Sequence, residues 1–235
     1  MKVKSPPSKS GMRDRPENLT DRIYAQLKED IFNFRLLPGD YFSENEVAER
    51  VSASRTPVRE ALTRLLRDGF VEVRSRSGWQ VKPFDFNHFE QLYDLRIILE
   101  EAAVRKLCEM ELAPDFPELR ERWLVKPEDR MAAGPAVAKM DERFHEQIVE
   151  AVGNQEMARI HHDITERLRI IRRLDFTKPK RVDATYEEHA KILRAILKRR
   201  LEEATGLLTE HIKTSKGEVR KITLHMLHEA RSHRY

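Results

Sequence analysis

The sequence has a single cysteine, no long apolar run and no apolar segment near its N-terminus. Cys108 is the only cysteine among 235 residues, which excludes a disulfide within the chain and is typical of a reducing compartment. No apolar stretch approaches the roughly 20 residues of a membrane-spanning helix. Residues 1–18 are polar, rich in proline and serine, and lack the apolar core of a secretory signal. We therefore expect a flexible N-terminal tail on a cytoplasmic protein with no membrane partner.

Positive charge is concentrated in one segment of the chain. Charged residues make up 36% and apolar residues 40% of the sequence, a composition typical of a folded globular protein. The net charge of the whole chain is only +4, yet residues 50–82 contain eight Lys and Arg against three Asp and Glu. A basic segment in a nearly neutral chain indicates a polyanionic partner. The alternative is a solvated helix face with ion pairs between residues four apart.

Residues 19–67 predict three helices, of which the second is short. Thr20 is expected to cap the first helix, and apolar residues recur after it at helical spacing. Ser43 opens a capping box that begins the second helix. Thr56 is expected to cap the third helix. The residues predicted for the inner face of the third helix are Val58, Ala61, Leu62, Leu65 and Leu66.

A basic hairpin follows the third helix. Residues 70–73 and 79–83 are interpreted as two short strands, and the turn RSRSG, which contains Gly78, joins them. Three helices followed by such a hairpin are typical of a winged helix-turn-helix, in which the N-terminus of the third helix enters the major groove of DNA. The pattern therefore predicts that the arginines of residues 54–70 face DNA.

The stretch LPGDYFSENEVAERVSASRTPVREALTRLLRDGFVEVRSRSGWQV resembles the DNA-binding domain of the GntR family of bacterial transcription regulators. The resemblance implies a homodimer that binds a palindromic operator in double-stranded DNA. The residues that it assigns to DNA contact are Arg55, Thr56, Arg59, Asn45, Arg64 and Gly78. Gly78 would lie at the wing tip that enters the minor groove. Asn45 departs from the pattern, because some members have a phosphate-binding arginine there.

Residues 86–235 contain apolar residues at helical spacing almost throughout and no convincing strand pattern. The helices predicted there cover residues 86–110, 136–153, 155–174, 182–200 and 201–229. Prolines and a Gly-Pro pair interrupt the stretch between the first two of these helices. An antiparallel helical bundle is the simplest product. The predicted fold class is therefore mainly α, with a winged helix-turn-helix at 19–85 followed by an all-α bundle at 86–235.

One pair of residues in the predicted bundle has the spacing of metal ligands. Asp141 and His145 are four residues apart on one helix, so both side chains can bind a divalent ion from the same face. His189 and His211 lie on two later helices. One carboxylate and three imidazoles would suit Zn, Ni, Mn or Fe. Because the chain contains nine histidines, spacing alone leaves open both a metal site and a set of ordinary core or surface histidines.

Arg96 lies on the apolar stripe of the 86–110 helix, together with Leu92, Leu99 and Ala103. A guanidinium that faces a core must meet an anion, because an unpaired buried charge is very costly. The sequence leaves two possible partners for the guanidinium of Arg96. One is Glu100, one helical turn away. The other is the carboxylate of a bound small molecule, whose two oxygens match the fork of the guanidinium.

The stretches MDERFHEQIVEAVGN, EEHAKILRAI and LEEATGLLTEHI resemble the C-terminal ligand-binding domain of the FadR subfamily in its metal-binding form. The ligands that this resemblance implies for a divalent metal are Asp141, His145, His189 and His211. It also implies a small organic acid as effector, held by the metal and by Arg96. His161 and His162 have no place in the pattern and are interpreted as a surface or helix-packing pair. The sequence LKRRLEEA replaces the Gly-Asp turn that is usual between the last two long helices.

The sequence thus predicts a metal-dependent, effector-responsive transcription regulator, more a repressor than an activator, and not an enzyme. Residues 83–88 are expected to transmit the effector signal to the DNA-binding domain. One alternative is a metal hydrolase that carries a DNA-binding domain, although the chain has no His-Glu-x-x-His motif and no evident general base beside a metal. The other is an architectural DNA-binding protein, which predicts little sequence preference and no response to metal or acids.

Overall fold

The structure is a computed structural model in which the chain divides into two compact units. It describes residues 18–74, 78–111, 115–132, 134–176, 179–219 and 221. By contacts between Cα atoms, the first unit comprises the chain up to Glu29 together with Gly39–Lys82, and the second comprises Asp30–Pro38 together with the chain from Pro83 onward. Residues 1–17 of the tail predicted at 1–18, the hairpin tip at 75–77 and the part beyond residue 221 of the helix predicted at 201–229 lie outside the described residues.

The first unit is the predicted winged helix-turn-helix. Its elements are α1 (Leu19–Phe32, with its last turn in the second unit), β1 (Tyr41–Phe42), α2 (Glu44–Arg50), α3 (Arg55–Arg67), β2 (Val71–Arg74) and β3 (Gly78–Val81). The strands form an antiparallel sheet in the order β1-β3-β2. Tyr41 lies opposite Gln80, and Val71 lies opposite Val81. The two-residue strand β1 was not predicted from the sequence.

Two of the predicted helix caps are wrong. The side chain of Asn18, rather than that of Thr20, accepts a hydrogen bond of 2.8 Å from the backbone N–H of Asp21. Helix α3 has Ser54 at its N-cap, so Thr56 already lies inside the first turn. In both cases the helix begins one residue before the predicted cap, so the residue that was expected to cap the helix lies within its first turn.

The capping box of α2 and most of the inner face of α3 are confirmed. The backbone N–H of Glu46 donates to Oγ of Ser43 at 3.2 Å, and the backbone N–H of Ser43 donates to Oε2 of Glu46 at 2.6 Å. The fully buried residues of the inner face are Val58, Ala61, Leu62 and Leu65. Leu66 is 39% exposed, which corrects its assignment to that face. The apolar residues therefore fix one side of α3 in the core and leave the other side in solvent.

The second unit is helical throughout its described residues. Its elements are α4 (Phe86–Glu109), α5 (Pro117–Trp123), a 3-10 helix (Pro127–Asp129), α6 (Pro135–Glu150), α7 (Gln155–Asp175), α8 (Pro179–Leu197) and α9 (Leu201–Val219). Helix α4 contacts α6, α7, α8 and α9, so it lies at the centre of the bundle. Within the described part of the chain, no helix is long and apolar enough to cross a membrane.

Three local features of this unit differ from the prediction. Helix α5 and the 3-10 helix occupy a stretch whose prolines had indicated only breaks. Helix α8 ends at Leu197 rather than at the predicted residue 200, and in the short turn before α9 Arg199 takes a left-handed conformation with φ of 55°. Apolar residues at helical spacing are expected in the core, but Leu95 of α4 is 41% exposed and Ile98 one turn later is 63% exposed.

The segment Asp30–Pro38 packs with the helical unit, although the sequence interpretation assigned 19–85 to the DNA-binding domain. Nη1 of Arg173 on α7 donates to Oδ1 of Asn33 at 2.8 Å. The guanidinium of the same arginine lies over the ring of Phe32, 5.2 Å from its centre. Helix α1 therefore begins in one unit and ends in the other.

Candidate functional site

The solvent face of α3 carries the arginines that were predicted to contact DNA. The side chains of Arg55 and Arg59 are 61% and 62% exposed, respectively, and Thr56 beside them is exposed as well. On the opposite face Val58 and Leu62 are fully buried. Because the buried side chains fix the rotation of the helix, the two arginines are presented together on one side of the unit.

One carboxylate binds both arginines. Arg59 donates from Nε to Oε1 of Glu44 at 3.0 Å and from Nη2 to Oε2 at 2.9 Å. Arg55 donates from Nη2 to the same Oε2 at 3.2 Å. The hydrogen bond from Arg59 holds the pKa of Glu44 below its usual value, against the effect of burial. Glu44 is the first residue of α2 and was not among the predicted site residues, because only the fold brings α2 beside α3.

Asn45 and Gly78 lie beside these arginines. Asn45 is exposed and lines a shallow depression together with Arg55, Arg59 and Gly78. Gly78 begins β3 with φ of 82°, and a Cβ at this position would lie 2.9 Å from the carbonyl oxygen of Phe42. Both the left-handed backbone and the close approach to β1 therefore require glycine.

Arg64 lies one turn further along α3 and is bound within the unit. Its Nη1 donates to Oδ1 of Asp21 at 3.1 Å, and its guanidinium lies over the ring of Tyr24, 3.9 Å from the centre. Its side chain is still 50% exposed. Arg64 lines an open groove together with Arg59 and Arg67, so it faces the same solvent region as the arginines at the start of α3.

The four predicted metal ligands come together inside the helical unit. Asp141 and His145 come from α6, His189 from α8 and His211 from α9. All four are buried, and one ligand atom from each lies within 4.8 Å of the others. Nε2 of His211 is 3.2 Å from Nε2 of His145 and 3.2 Å from Nε2 of His189. Oδ1 of Asp141 is 3.4 Å from Nε2 of His189.

The three imidazoles of this cluster are neutral at pH 7. Burial lowers the pKa of His145 to about 3 and that of His211 to about 4. Burial and the neighbouring His211 together hold the pKa of His189 well below its usual range. A neutral imidazole has one N–H donor and one nitrogen with a free lone pair. Each ring can therefore offer a lone pair without first losing a proton.

Two of the rings have a carboxylate on their outer side. Nδ1 of His145 lies 2.5 Å from Oε2 of Glu100, and Nδ1 of His211 lies 2.6 Å from Oε2 of Glu188. Because an ionised carboxylate only accepts, a hydrogen bond to it requires the hydrogen on Nδ1, and Nε2 then carries a lone pair. Two such lone pairs 3.2 Å apart repel each other. A cation between them removes this repulsion, so the three nitrogens and one oxygen fit a divalent transition metal.

Glu100 connects this cluster to Arg96. Nε of Arg96 donates to Oε1 of Glu100 at 2.6 Å, and Nε2 of His161 lies 3.0 Å from the same oxygen. Burial alone would raise the pKa of Glu100, but the neighbouring His145 and Arg96 hold it well below its usual range. The internal partner considered for Arg96 is therefore present. Among the described residues, Nη2 of Arg96 is nevertheless buried without a hydrogen-bond partner.

Helix α7 contributes two residues that the sequence interpretation missed. His161 was assigned to a surface or helix-packing pair, but it is 1% exposed and bonds to the site. Its neighbour His162 does lie at the surface, where its Nδ1 is 3.1 Å from Oε1 of Glu146. Arg172 is buried and forms an ion pair with Asp141. His161 and Arg172 are eleven residues apart, which places them on one face of α7.

Two protein families match the chain. Residues 19–81 match the family described as bacterial regulatory proteins, gntR family. Residues 91–214 match the FCD domain family.

Relatives match over most of the chain. The Nta operon transcriptional regulator of Aminobacter aminovorans is 30% identical over 191 residues, which cover 81% of this chain and 89% of that protein. The HTH-type transcriptional repressor RspR of Escherichia coli strain K12 is 24% identical over 212 residues, which cover 87% of this chain and 90% of that protein. Both are transcription regulators rather than enzymes. A GntR regulator structure from Rhodococcus sp. RHA1 has a TM-score of 0.69 at 19% identity over 87% of this chain and 98% of that one, which supports the fold.

The FCD match spans more than half of the sequence, and a relative of 30% identity is matched over 81% of it. This chain therefore belongs to the GntR family of bacterial transcription regulators, with a GntR DNA-binding domain followed by an FCD domain.

Proposed function

We propose that this chain is a metal-dependent repressor whose binding to a palindromic operator responds to a small organic acid. Its family already makes it a transcription regulator with a DNA-binding and an effector-binding domain. The repressor role is supported by the relative RspR, which is itself a transcriptional repressor. We further assign the chain to the metal-binding form of the FadR subfamily and place it in the bacterial cytoplasm. A homodimer would bind two half-sites, because a two-fold axis in the protein matches the symmetry of a palindrome.

The DNA-contact residues in this proposal lie on α3 and around it. They are Arg55, Thr56, Arg59, Asn45, Arg64 and Gly78. The exposure of Arg55 and Arg59 supports this role, because an exposed ion pair contributes only about 0–1 kcal/mol. DNA phosphates can therefore replace Glu44 as the partner of both arginines at a low cost in free energy. In the absence of DNA, Glu44 keeps both guanidinium groups on the solvent face of α3.

The metal in this proposal is a divalent transition ion such as Zn, Ni, Mn or Fe, bound by Asp141, His145, His189 and His211. The short distances of 3.2 Å from Nε2 of His211 to Nε2 of His145 and to Nε2 of His189 support it. When bound, such an ion supplies a positive centre to which a carboxylate oxygen can bind. The buried ion pair between Asp141 and Arg172 orients the carboxylate from the side of α7.

The buried guanidinium of Arg96 is the observation that carries the effector proposal. Leaving a buried charged donor such as its Nη2 without a partner costs about 1–3 kcal/mol or more. A carboxylate at Nη2 would supply the missing acceptor, while Glu100 keeps Nε. Trp123 contacts the ring of His189, with 4.1 Å between ring centres, and also lines an open pocket of about 330 Å³. Trp123 thus links this pocket, which neither Arg96 nor the four proposed ligands line, to a ring of the cluster.

The effector signal would cross from one unit to the other through the polypeptide itself. Arg96 and Glu100 lie on α4, whose N-cap is Asp85. Residues 83–88 therefore connect the site directly to the end of β3. Helix α1 is a second covalent connection, because its last turn packs with α7 of the helical unit. The difference in effector affinity between the two arrangements sets the largest possible response, which is typically about 1–3 kcal/mol.

A thermal-shift screen of small carboxylates, run with a divalent metal and with a chelator, tests the proposal. An acid at about 100 times its Kd adds roughly 2.7 kcal/mol, which is several degrees in Tm for a chain of this size. His189→Ala should abolish a metal-dependent shift, whereas His162→Ala at the surface should keep it.

The outcomes of this screen separate the parts of the proposal. A shift that requires the metal supports the whole proposal. A shift that survives chelation keeps the acid effector and assigns its binding to Arg96 and other protein groups. The absence of any shift with acids or metal would contradict the sensor and favour the architectural DNA-binding protein.

A further inference from the structure

Two histidines of the metal cluster share a feature on their outer sides. Nδ1 of His145 and Nδ1 of His211 each lie against a carboxylate oxygen, at 2.5 Å from Glu100 and 2.6 Å from Glu188. The two carboxylates come from different helices, α4 and α8, neither of which carries the histidine that it contacts. The cluster therefore contains the same contact, a carboxylate oxygen against Nδ1 of a histidine, at two positions.

We propose that Glu100 and Glu188 are positioning residues that hold His145 and His211 in the tautomer with the lone pair on Nε2. The inference rests on the proposed metal site. A carboxylate that accepts from the outer nitrogen fixes the proton there and turns the inner nitrogen toward the metal. Loss of such a partner typically lowers metal affinity 10–100-fold.

Each carboxylate is itself held in place. Oε1 of Glu100 accepts from Nε of Arg96 at 2.6 Å and lies 3.0 Å from Nε2 of His161. Glu188 accepts from Nη1 of Arg181 at 3.1 Å through Oε1 and at 2.9 Å through Oε2. In Glu100 these contacts fall on Oε1 and leave Oε2 to its imidazole, whereas Oε2 of Glu188 contacts both Arg181 and His211.

The third histidine of the cluster is positioned differently. His189 stacks on Phe144 with 3.8 Å between ring centres, and its edge contacts Trp123. Its Nδ1 has no hydrogen-bond partner among the described residues. Apolar packing can orient this ring but cannot select its tautomer, so the proposal assigns tautomer control to the other two histidines alone.

Replacing either glutamate by glutamine tests tautomer control directly. A glutamine has nearly the same shape, but its amide can donate as well as accept. The amide can therefore stabilise the tautomer with hydrogen on Nε2. In that tautomer, Nε2 must lose its hydrogen before it can bind a metal. We expect Glu100→Gln and Glu188→Gln each to weaken Zn²⁺ binding to the full chain 10–100-fold, measured by competition with a chromogenic chelator.

A matched control lies outside the cluster in the same unit. Oε1 of Glu146 is 3.1 Å from Nδ1 of His162, which lies outside the cluster. Glu146→Gln should therefore leave Zn²⁺ affinity within about 3-fold of the parent chain, since its histidine is not a ligand. Because Glu100→Gln also removes the charge partner of buried Arg96, its folding is checked by circular dichroism. If it does not fold, Glu188→Gln decides the proposal, because Glu188 is only half-buried and does not touch Arg96.

The tautomers can also be observed without metal. Long-range ¹H–¹⁵N correlation spectra of the metal-free parent should show hydrogen on Nδ1 of His145 and His211, and Glu188→Gln should change only the signals of His211. Hydrogen on Nε2 of either ring in the parent would overturn the proposal. So would Zn²⁺ affinities of the folded Gln variants within about 3-fold of the parent. A parent chain that shows the Nδ1 tautomers but binds no Zn²⁺ would contradict the metal site while leaving the positioning of the rings intact.

Discussion

Both units pair arginine with glutamate, but in opposite environments. In the DNA-binding unit, the side chains of Arg59 and Glu44 are 62% and 15% exposed. In the helical unit, those of Arg96 and Glu100 are 1% and 0% exposed. An exposed ion pair contributes about 0–1 kcal/mol, whereas removing one partner of a buried pair costs about 3–5 kcal/mol. Solvent exposure, rather than residue type, therefore determines how readily each arginine changes partner.

This difference suits the two kinds of anion that we propose. DNA presents many phosphates to a surface, so arginines such as Arg59 must leave their internal partner at little cost. A small acid inside the bundle meets one guanidinium that cannot move. Arg96 keeps Glu100 on Nε and offers Nη2, which is unpartnered among the described residues, so the acid must fit the site as it is built.

The largest effect is expected where the buried pair is broken. Arg96→Ala leaves Glu100 buried without its guanidinium, and we expect the free energy of unfolding of the helical unit to fall by about 3–5 kcal/mol. Urea unfolding followed by fluorescence measures this loss. In a Trp79→Phe background, buried Trp123 is the remaining tryptophan and reports on the helical unit.

The matched change on the exposed side is Arg64→Ala. Its side chain is 50% exposed and its ion pair with Asp21 lies at the surface, so the loss of stability should stay below about 1 kcal/mol. Equal losses in Arg64→Ala and Arg96→Ala would contradict the contrast between the two environments.

A smaller effect is expected on DNA binding from Arg59→Ala. A bidentate contact to a base contributes about 1–3 kcal/mol, so affinity for DNA selected from a random pool by the parent chain should fall about 5- to 150-fold. Fluorescence anisotropy at constant salt measures the change, and the circular dichroism of the variant should match that of the parent. Arg105→Ala, an exposed arginine of the helical unit, should bind this DNA like the parent. Unchanged binding by Arg59→Ala would refute α3 as the reading helix.

The metal-free protein should lose stability as the pH falls from about 6.5 to 5. Burial lowers the pKa of His145 to about 3 and that of His211 to about 4, whereas an unfolded histidine has a pKa of about 6.5. In this range the unfolded chain binds more protons, so the free energy of unfolding decreases toward acid. Each histidine contributes a slope of up to about 1.4 kcal/mol per pH unit.

Urea unfolding with a chelator at several pH values in this range measures the slope. His145→Gln should reduce it, while His162→Ala, which removes an exposed ring, should not. A flat profile would show that the buried rings do not remain neutral when the protein is folded.

The elements that sequence predicted well are those determined by local pattern. Helix α4 was expected at 86–110 and lies at Phe86–Glu109, because apolar spacing over many turns gives a consistent signal. Helix α5 was missed, since a helix of seven residues that begins with a proline carries little periodicity. Trp123 at its end is buried against the rings of His189 and Tyr186 on α8, a tertiary contact with no local signal.

The same distinction applies to the candidate site. Asp141 and His145 could be found because they lie four residues apart on one helix. Glu100 and His161 could not, because their roles depend on which faces of α4 and α7 pack together. The contacts of Glu100 with His145 and His161 span 45 and 61 residues of chain. From the sequence alone, a glutamate one helical turn from an arginine indicates only an ordinary ion pair within one helix.

The smallest effect is expected from Asn45→Arg on the exposed side. Asn45 is exposed beside Arg55 and Arg59, so an arginine there would add one phosphate contact. One more neutralised phosphate makes the slope of log K against log salt more negative by about 0.9. Anisotropy titrations over a range of salt concentrations measure this slope, and Asn45→Gln should keep the parent value. An unchanged slope for Asn45→Arg would show that α2 does not approach the DNA backbone, which would restrict the DNA-facing surface to α3 and the wing.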